Sequence, residues 1–227
     1  MDLFGDWHLT VGARSSALSR AQVQEVLLLL RIHHPSVVFV PEWVATFGDL
    51  DLLQSLKEMD KTDFFTREID QMLLDGHIRI AIHSAKDLPA PLPEGLCCVA
   101  LTLGVDSADV LVLREGDSLM ALPTQAKIAT SSIRRELMIK QIRPDIQCIE
   151  VRGPIDRRLE FLDQGDIDGL VMAEAALIRL DKTQRNRVRL PGLAAPFQGQ
   201  LAVLARVGDQ EISKKFQCID VGSHLIS

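Results

Sequence analysis

The sequence FTREIDQMLLDGHIRIAIHSAKDLP, residues 65–89, contains the pattern that decides the fold class. Apolar residues recur at helical spacing from Phe65 to Leu73, which predicts an amphipathic helix that Gly76 can end. The apolar residues 78–84 then predict a buried strand, and a proline-marked turn follows it. A helix that leads directly into a buried strand is the repeating unit of an α/β fold.

The same alternation continues on both sides of this stretch, and it restarts after residue 101. The polar stretch 181–189 and the turn-rich residues after it suggest a return crossing. We therefore expect two domains, formed by residues 1–101 together with 197–227 and by residues 102–196. Strands are predicted at 8–12, 37–44, 97–101, 110–113, 128–129, 146–151 and 169–172, and helices from about 16 and at 133–141, 155–163 and 175–180.

Composition narrows the class of protein. With 227 residues and 47% apolar content the chain can bury a substantial core. A formal charge of −6 argues against a general nucleic-acid binder. The longest apolar run, 96–101, is too short to span a bilayer, and the start lacks a basic and then apolar leader. We expect a cytoplasmic protein with neither nucleic acid nor membrane as partner.

The four cysteines show no Cys-x-x-Cys spacing. Two of them, Cys97 and Cys98, are neighbours in an apolar stretch, where their side chains would point to opposite faces of a strand. The pattern predicts neither a disulfide framework nor a metal site.

A hydroxyl-rich turn, residues 130–132, joins a predicted strand to a helix that begins with two arginines. Backbone N–H groups, hydroxyls and the guanidinium groups of Arg134 and Arg135 can converge there, and a helix N-terminus attracts anions. In the alternative interpretation Ser132 only caps the helix and both arginines lie on its solvated face. From this segment alone, both interpretations stay open.

Two further arginines also follow the carboxyl ends of predicted strands. Arg14 follows the first strand, and Arg152 follows the strand that ends at residue 151. Ligands of α/β proteins bind at this carboxyl edge, and the planar guanidinium engages both oxygens of a carboxylate. A substrate with several carboxylates would suit them. Arg157 and Arg158 cannot share one direction, so at least one is an ordinary surface charge.

Asp87 lies where the predicted strand 78–84 runs into a polar turn. From spacing alone the favoured interpretation is structural: a carboxylate that stabilises the loop or pairs with Lys86. His83 is expected to be a core histidine whose hydrogen bonds are satisfied.

Taken together, these segments resemble the porphobilinogen deaminase (hydroxymethylbilane synthase) family. The likeness extends from VGARSS at residues 11–16 to about Arg206. It implies two periplasmic-binding-protein-like (type II) α/β domains with mixed sheets, whose facing edges form a cleft. The motifs that carry it, in the family's order, are HSAKD at 83–87, TSSIRR at 130–135, RG at 152–153 and QG at 198–199.

The resemblance implies a transferase of haem biosynthesis, which condenses four porphobilinogen molecules into hydroxymethylbilane, releases ammonia and uses a covalent dipyrromethane cofactor as primer. Asp87 matches the catalytic carboxylate. The partners it implies are porphobilinogen and linear pyrrole chains, and we expect a monomer or weak homo-oligomer. The positions that match residues holding pyrrole acetate and propionate groups in the family are Arg14, Ser16, Lys86, Thr130, Ser131, Ser132, Arg134, Arg135, Arg152 and Arg158. Arg179 and Gln198 match further positions in the cleft.

Three features depart from the family pattern. Only residues 207–227 follow the matched region, so we expect the family's third domain, with its cofactor-attachment cysteine, to be absent; Cys218 is the only positionally conceivable substitute. Phe47 replaces an arginine, and Asp60 and Asp63 add carboxylates to a lid segment. These departures leave an alternative open, in which the chain binds pyrroles or other polycarboxylates without catalysis and without covalent cofactor attachment.

Overall fold

The structure, a computed structural model, describes residues 7–51 and 63–226. The chain divides into two compact units. Among the described residues, unit 1 comprises 7–50, 63–104 and 200–226, and unit 2 comprises 51 and 105–199. In chain order the elements are β1 (Trp7–Arg14), α1 (Ala17–Arg31), β2 (Val37–Val44), α2 (Phe47–Leu50), α3 (Arg67–Leu74), β3 (Ile80–Ser84), β4 (Leu96–Leu101), β5 (Asp109–Val112), β6 (Lys127–Ala129), α4 (Ile133–Ile142), β7 (Gln147–Ile149), α5 (Ile155–Gln164), β8 (Gly169–Ala173), α6 (Glu174–Arg179), β9 (Arg187–Arg189), β10 (Leu201–Arg206) and α7 (Gln210–Phe216).

Unit 1 is built on a five-stranded mixed sheet in the order β2-β1-β3-β10-β4. Strands β1, β2 and β3 are parallel, so their carboxyl ends meet at one edge. The return strand β10 is antiparallel to β3 and pairs Leu201 with Ser84, which places the start of β10 at that same edge. Helix α1 begins at an N-cap, Ser16, whose hydroxyl accepts a hydrogen bond from the Ser19 N–H.

Unit 2 has a second five-stranded mixed sheet, in the order β7-β6-β8-β5-β9. Strands β6, β7 and β8 are parallel, whereas β5 runs antiparallel to β8. Asp109, the first residue of β5, therefore pairs with Ala173 at the end of β8. The start of β5 thus lies at the edge where the three parallel strands end.

Each unit has its own hydrophobic core. In unit 1, α1 packs Val26 and Leu30 against the sheet, and both side chains are fully buried. In unit 2, α4 contributes Ile139, which is fully buried with Ile128 of β6. Burying these apolar faces is what makes short helices and strands stable.

The predicted helices and strands are confirmed, with ends that shift by at most two residues. The first strand is longer than the predicted 8–12, and β7 is shorter than the predicted 146–151. The sequence did not reveal β9, because this short edge strand consists of charged residues around Val188 and pairs only with β5. Among the described residues no helix combines the length and the apolar character needed to cross a bilayer.

Candidate active site

Three of the predicted site residues meet at the carboxyl edge of the unit 1 sheet. Arg14 ends β1, Ser16 begins α1, and Asp87 closes a short 3-10 turn directly after β3. Asp87 is exposed, so its carboxylate is open to a ligand. One pocket joins the three; its lining residues are Arg14, Ser16, Leu18, Ser19, Gln22, Phe65, Thr66, Ile82, His83, Ser84 and Asp87.

The guanidinium group of Arg14 is held by two neighbours. It donates from Nε (3.2 Å) and from Nη2 to the two oxygens of Asp49, and it lies 4.4 Å above the centre of the Phe65 ring. Burial alone would raise the pKa of Asp49, but the hydrogen bonds and charge of Arg14, together with Thr46, lower it below its ordinary value. Arg14 is therefore fixed against an ionised carboxylate. Sequence reasoning missed Asp49, although it stands only two residues after Phe47, which replaces an arginine of the family pattern.

His83 lines this pocket, and among the described residues it and its neighbour Asp70 have buried polar atoms without hydrogen bonds. His83 and Asp70 are both buried, and the His83 Nε2 lies 3.6 Å from the Asp70 Oδ1, too far for a hydrogen bond. Neither carboxylate oxygen of Asp70 has a hydrogen-bond partner among the described residues. His83 is thus buried as expected, but the expectation that its hydrogen bonds are satisfied is wrong for Nε2.

The remaining predicted residues of unit 1 lie outside the set that lines this pocket. Lys86 is half-buried in the 3-10 turn. Cys218 lies in the 3-10 turn Gln217–Ile219, where its exposed thiol donates to the Lys215 carbonyl over 3.2 Å. Partial burial raises the pKa of the Cys218 thiol, so it is not an activated thiolate.

Two of the residues that depart from the family pattern, Phe47 and Asp63, lie among the described residues. Phe47 is half exposed and packs edge to face on Phe64, with ring centres 5.6 Å apart. Asp63 accepts two hydrogen bonds from Arg67, which lowers the pKa of its carboxyl. Its negative charge is therefore compensated locally. Asp60 lies outside the described residues.

In unit 2, the hydroxyl-rich turn 130–132 connects β6 to α4. The Ser131 hydroxyl donates to the Val151 carbonyl (3.1 Å), and the Ser132 N–H donates to the Thr130 hydroxyl (3.2 Å). The Ser132 side chain makes no capping hydrogen bond. The interpretation in which Ser132 only caps the helix therefore has no support in this geometry.

Arg134 and Arg135 converge on one carboxylate that sequence reasoning missed, that of Asp109. The Arg134 Nη1 donates to its Oδ2 (2.6 Å), and the Arg135 Nε donates to its Oδ1 (2.8 Å). Gln198 donates to the same Oδ1 (2.9 Å). Burial would raise the pKa of Asp109, but Arg135, Arg134 and Gln198 lower it, so the carboxylate is ionised.

Three further arginines are anchored to backbone carbonyls of unit 2. The Arg158 Nε donates to Gly153 (2.7 Å), the Arg152 Nη2 to Asp51 (3.2 Å) and the Arg179 Nη2 to Gly199 (2.8 Å). Arg157, by contrast, is exposed and pairs with Glu160 on the helix surface. Of these two neighbours, Arg158 turns toward the loop after β7 and Arg157 is the surface charge.

The sequence matches the family model described as "Porphobilinogen deaminase, dipyromethane cofactor binding domain" over residues 9–214. Among similar curated proteins, porphobilinogen deaminase of Desulforudis audaxviator is 41% identical, over 93% of this chain and 70% of its own length. Porphobilinogen deaminase of Fusobacterium nucleatum is 38% identical, over 93% of this chain and 72% of its own length. The chain thus spans about 70% of the length of these relatives.

Two solved structures with the same fold have little sequence identity to this chain. The methionine-binding protein MetQ superposes with a TM-score of 0.58 at 13% identity, over 95% of this chain and 91% of its own. The reduced form of the OxyR2 regulatory domain of Vibrio vulnificus gives 0.54 at 14% identity, over 100% of this chain and 99% of its own. These likenesses establish the periplasmic-binding-protein-like type II fold, and at this identity they establish the fold alone.

Proposed function

The chain belongs to the porphobilinogen deaminase family, and from that premise we propose how its own residues carry out the family's reaction. The enzyme joins porphobilinogen molecules head to tail into hydroxymethylbilane, releases ammonia and serves tetrapyrrole biosynthesis. The observation that carries the residue assignment is the unit 1 pocket, in which Asp87, Arg14 and Ser16 line the same space.

Asp87 is the catalytic carboxylate in this proposal. When the C–N bond of the protonated aminomethyl group breaks, its electron pair leaves with ammonia, and the pyrrole left behind is a cation. An exposed carboxylate in the turn after β3 can accept hydrogen bonds from the pyrrole N–H groups and stabilise that positive charge. A ring carbon of the attacking pyrrole forms the new C–C bond, and the proton on that carbon then passes to a base, the Asp87 carboxylate or water, so that the ring becomes aromatic again.

The arginines bind the carboxylates of the substrate and of the growing chain. Arg14 is already oriented by Asp49 and Phe65, so little side-chain freedom is lost when a ligand binds. Arg134 and Arg135 lie in the first turn of α4, directly after the hydroxyls of residues 130–132. Guanidinium and hydroxyl donors are the groups that acetate and propionate side chains require.

The family match also assigns a dipyrromethane cofactor-binding domain to this chain. The donor set of unit 2 fits that group, because the cofactor carries acetate and propionate side chains. When bound, dipyrromethane supplies the pyrrole on which chain growth starts. We propose Cys218 as the thiol to test for attachment, since it is exposed, although its raised pKa disfavours the thiolate.

Turnover of porphobilinogen tests the proposed function. We expect purified protein to consume porphobilinogen and release ammonia, and Asp87→Asn to lower kcat by at least about 10²-fold, as for loss of one stabilising group. Asp75→Asn, which changes an exposed aspartate at the end of α3, is the matched control and is expected to retain activity. No ammonia from well-folded protein would refute the function, and an unaffected Asp87→Asn variant would refute the residue assignment.

Intact-mass measurement tests the attachment site separately. If Cys218 carries the cofactor, the mass exceeds that of the polypeptide by one dipyrromethane, and Cys218→Ala removes the increment. An increment that persists in Cys218→Ala would assign attachment to another residue. Turnover by protein of unmodified mass would mean that a pyrrole bound without a covalent bond serves as primer.

A further inference from the structure

Among the described residues of unit 2, the Asp109 carboxylate forms ion pairs with two arginines, Arg134 and Arg135. Its carboxylate is fully buried, with side-chain exposures of 33% for Arg134 and 14% for Arg135 beside it. Both guanidinium groups donate to it at 2.6 to 2.8 Å, and Gln198 donates a further hydrogen bond. One buried anion thus orders three side chains that we propose for the binding site.

Gln198 closes the arrangement into a ring. Its amide N–H groups donate to Asp109 and to the Ser107 carbonyl, and its amide oxygen accepts from the Arg135 Nη2 at 3.3 Å. Gln198 itself is only 4% exposed. The positions of Arg135 and Gln198 are therefore defined by contacts that exist before any ligand binds.

The repulsion between Arg134 and Arg135 explains why a buried carboxylate is needed between them. Arg134 and Arg135 are neighbours in the chain, and two adjacent cations repel each other. Asp109 offsets one of the two positive charges, so the cluster retains one net positive charge. The Arg134 side chain is further held by its hydrogen bond to the Leu193 carbonyl (2.8 Å).

Donor groups remain for a ligand. Each guanidinium has five N–H donors. Within the part of the chain that the structure describes, the hydrogen bonds of Arg134 use Nη1, and those of Arg135 use Nε and Nη2. This leaves Nε and Nη2 of Arg134 and Nη1 of Arg135, enough to engage one carboxylate.

We propose that Asp109 is a positioning residue, which holds Arg134 and Arg135 so that their remaining donors bind a single carboxylate of the pyrrole substrate. The inference rests on the proposed function. Asp109 touches no reacting atom in this account, and it acts only through the two arginines and Gln198. Its substitution should therefore change substrate binding more than the chemical step.

The kinetic test compares Asp109→Asn with the wild-type enzyme. We expect KM for porphobilinogen to rise about tenfold, the loss of one charge-assisted hydrogen bond, and kcat to change much less. Removing the anion also adds a net positive charge, which by itself would lower KM. A rise in KM therefore shows that orientation outweighs charge, whereas an unchanged or lower KM would overturn the proposal.

A double-mutant cycle tests whether Asp109 acts through an arginine. In Asp109→Asn/Arg135→Gln, the rise in KM should be smaller than the product of the two single effects. Effects that multiply would contradict the proposal. Asp163→Asn is the matched control, because Asp163 also pairs with an arginine of unit 2, Arg185, but on the exposed surface.

Asp109→Glu replaces Asp109→Asn in the kinetic test if Asp109→Asn does not fold. This variant retains the charge and should fold, with a KM between those of the wild type and of Arg135→Gln. A wild-type KM for Asp109→Glu would contradict the requirement for the position of the carboxylate. The Arg135 Nε–H resonance in ¹⁵N NMR spectra should exchange slowly with solvent in the wild type and rapidly in the Asp109 variants. This resonance does not depend on turnover, so it separates failure of the inference from failure of the proposed function.

Discussion

Gly199 shows how strongly a single residue is constrained beside the predicted site. Its φ of +87° lies in the left-handed region, and a Cβ there would be 2.3 Å from the Asp106 carbonyl oxygen. Its own carbonyl accepts the hydrogen bond from Arg179. The missing side chain therefore allows the chain to pass close to Asp106 and to hold Arg179 at the same time.

Gly199→Ala should destabilise unit 2 more than Gly116→Ala. Gly116 has a similar φ of +81° but no atom within 4 Å of the added Cβ. The backbone penalty, about 1–2 kcal/mol, is then common to both variants, and the collision with Asp106 adds at least about 1 kcal/mol for Gly199→Ala. Urea unfolding of the two variants measures the difference. Equal losses of stability would show that the backbone at Asp106 yields without cost.

The cysteines should differ in reactivity with their surroundings. Burial raises the pKa of the Cys98 thiol to about 12, whereas Cys218 is exposed. Because the thiolate is the nucleophile, we expect iodoacetamide at pH 8 to alkylate Cys218 well before Cys98. Peptide mass mapping over time gives the order. Faster labelling of Cys98 would contradict the packing of β4.

Among the secondary-structure elements, α7 shows how one residue links a helix to a distant strand. The Asp209 carboxylate accepts from the Ile212 N–H at 3.1 Å and so caps the helix. The same carboxylate accepts two hydrogen bonds, at 3.0 and 3.1 Å, from Arg79, which directly precedes β3. The helix start is thereby tied to the sheet of unit 1.

Substitution of Asp209 should separate the cap from the ion pair. Asn can still cap a helix, so Asp209→Asn loses mainly the ion pair, whereas Asp209→Ala loses both and should cost about 2 kcal/mol at pH 7. Urea unfolding at neutral pH measures both variants. Equal costs for the two variants would mean that the cap contributes nothing.

The cost of Asp209→Asn should also depend on pH. The hydrogen bonds from Arg79 lower the pKa of Asp209 below its ordinary value of 3.8. A carboxylate with a lowered pKa in the folded state stabilises the protein fully above the unfolded value, and this contribution disappears as the pH falls through the folded value. The stability difference between wild type and Asp209→Asn should therefore be constant from pH 7 to 5 and shrink below about pH 4. A difference that does not shrink at all as the pH falls below 4 would contradict the assignment.

At the scale of the whole molecule, the chain forms two units with separate cores. Both tryptophans, Trp7 and Trp43, pack against the core of unit 1. Tryptophan fluorescence therefore reports on unit 1, while circular dichroism reports on the helices of both units. The two tryptophans are thus a natural fluorescence probe of the unit 1 core.

Tryptophan fluorescence and circular dichroism together should distinguish a cavity in the core of unit 1 from a cavity in the core of unit 2. Leu30→Ala in unit 1 and Ile139→Ala in unit 2 each remove a fully buried side chain, at a cost of about 2–5 kcal/mol. Leu30→Ala should lower the unfolding midpoint seen by tryptophan fluorescence. Ile139→Ala should lower the midpoint seen by circular dichroism and leave the fluorescence midpoint in place. Equal shifts of both signals in both variants would show that the chain unfolds as a single cooperative unit.

The sequence by itself determined the alternation of helices and strands, because the apolar spacing that predicts α3 and β3 is a local property of the chain. It also indicated that Arg14, Arg134 and Arg135 follow strand ends, since this too is local. Asp49 and Asp109, the carboxylates that hold these arginines, were decided only by the tertiary structure. Asp109 stands at the start of β5, and only the antiparallel pairing of β5 with β8 brings it to the edge where Arg134 and Arg135 lie. Strand order and direction depend on contacts between residues far apart in the chain, which no local pattern records.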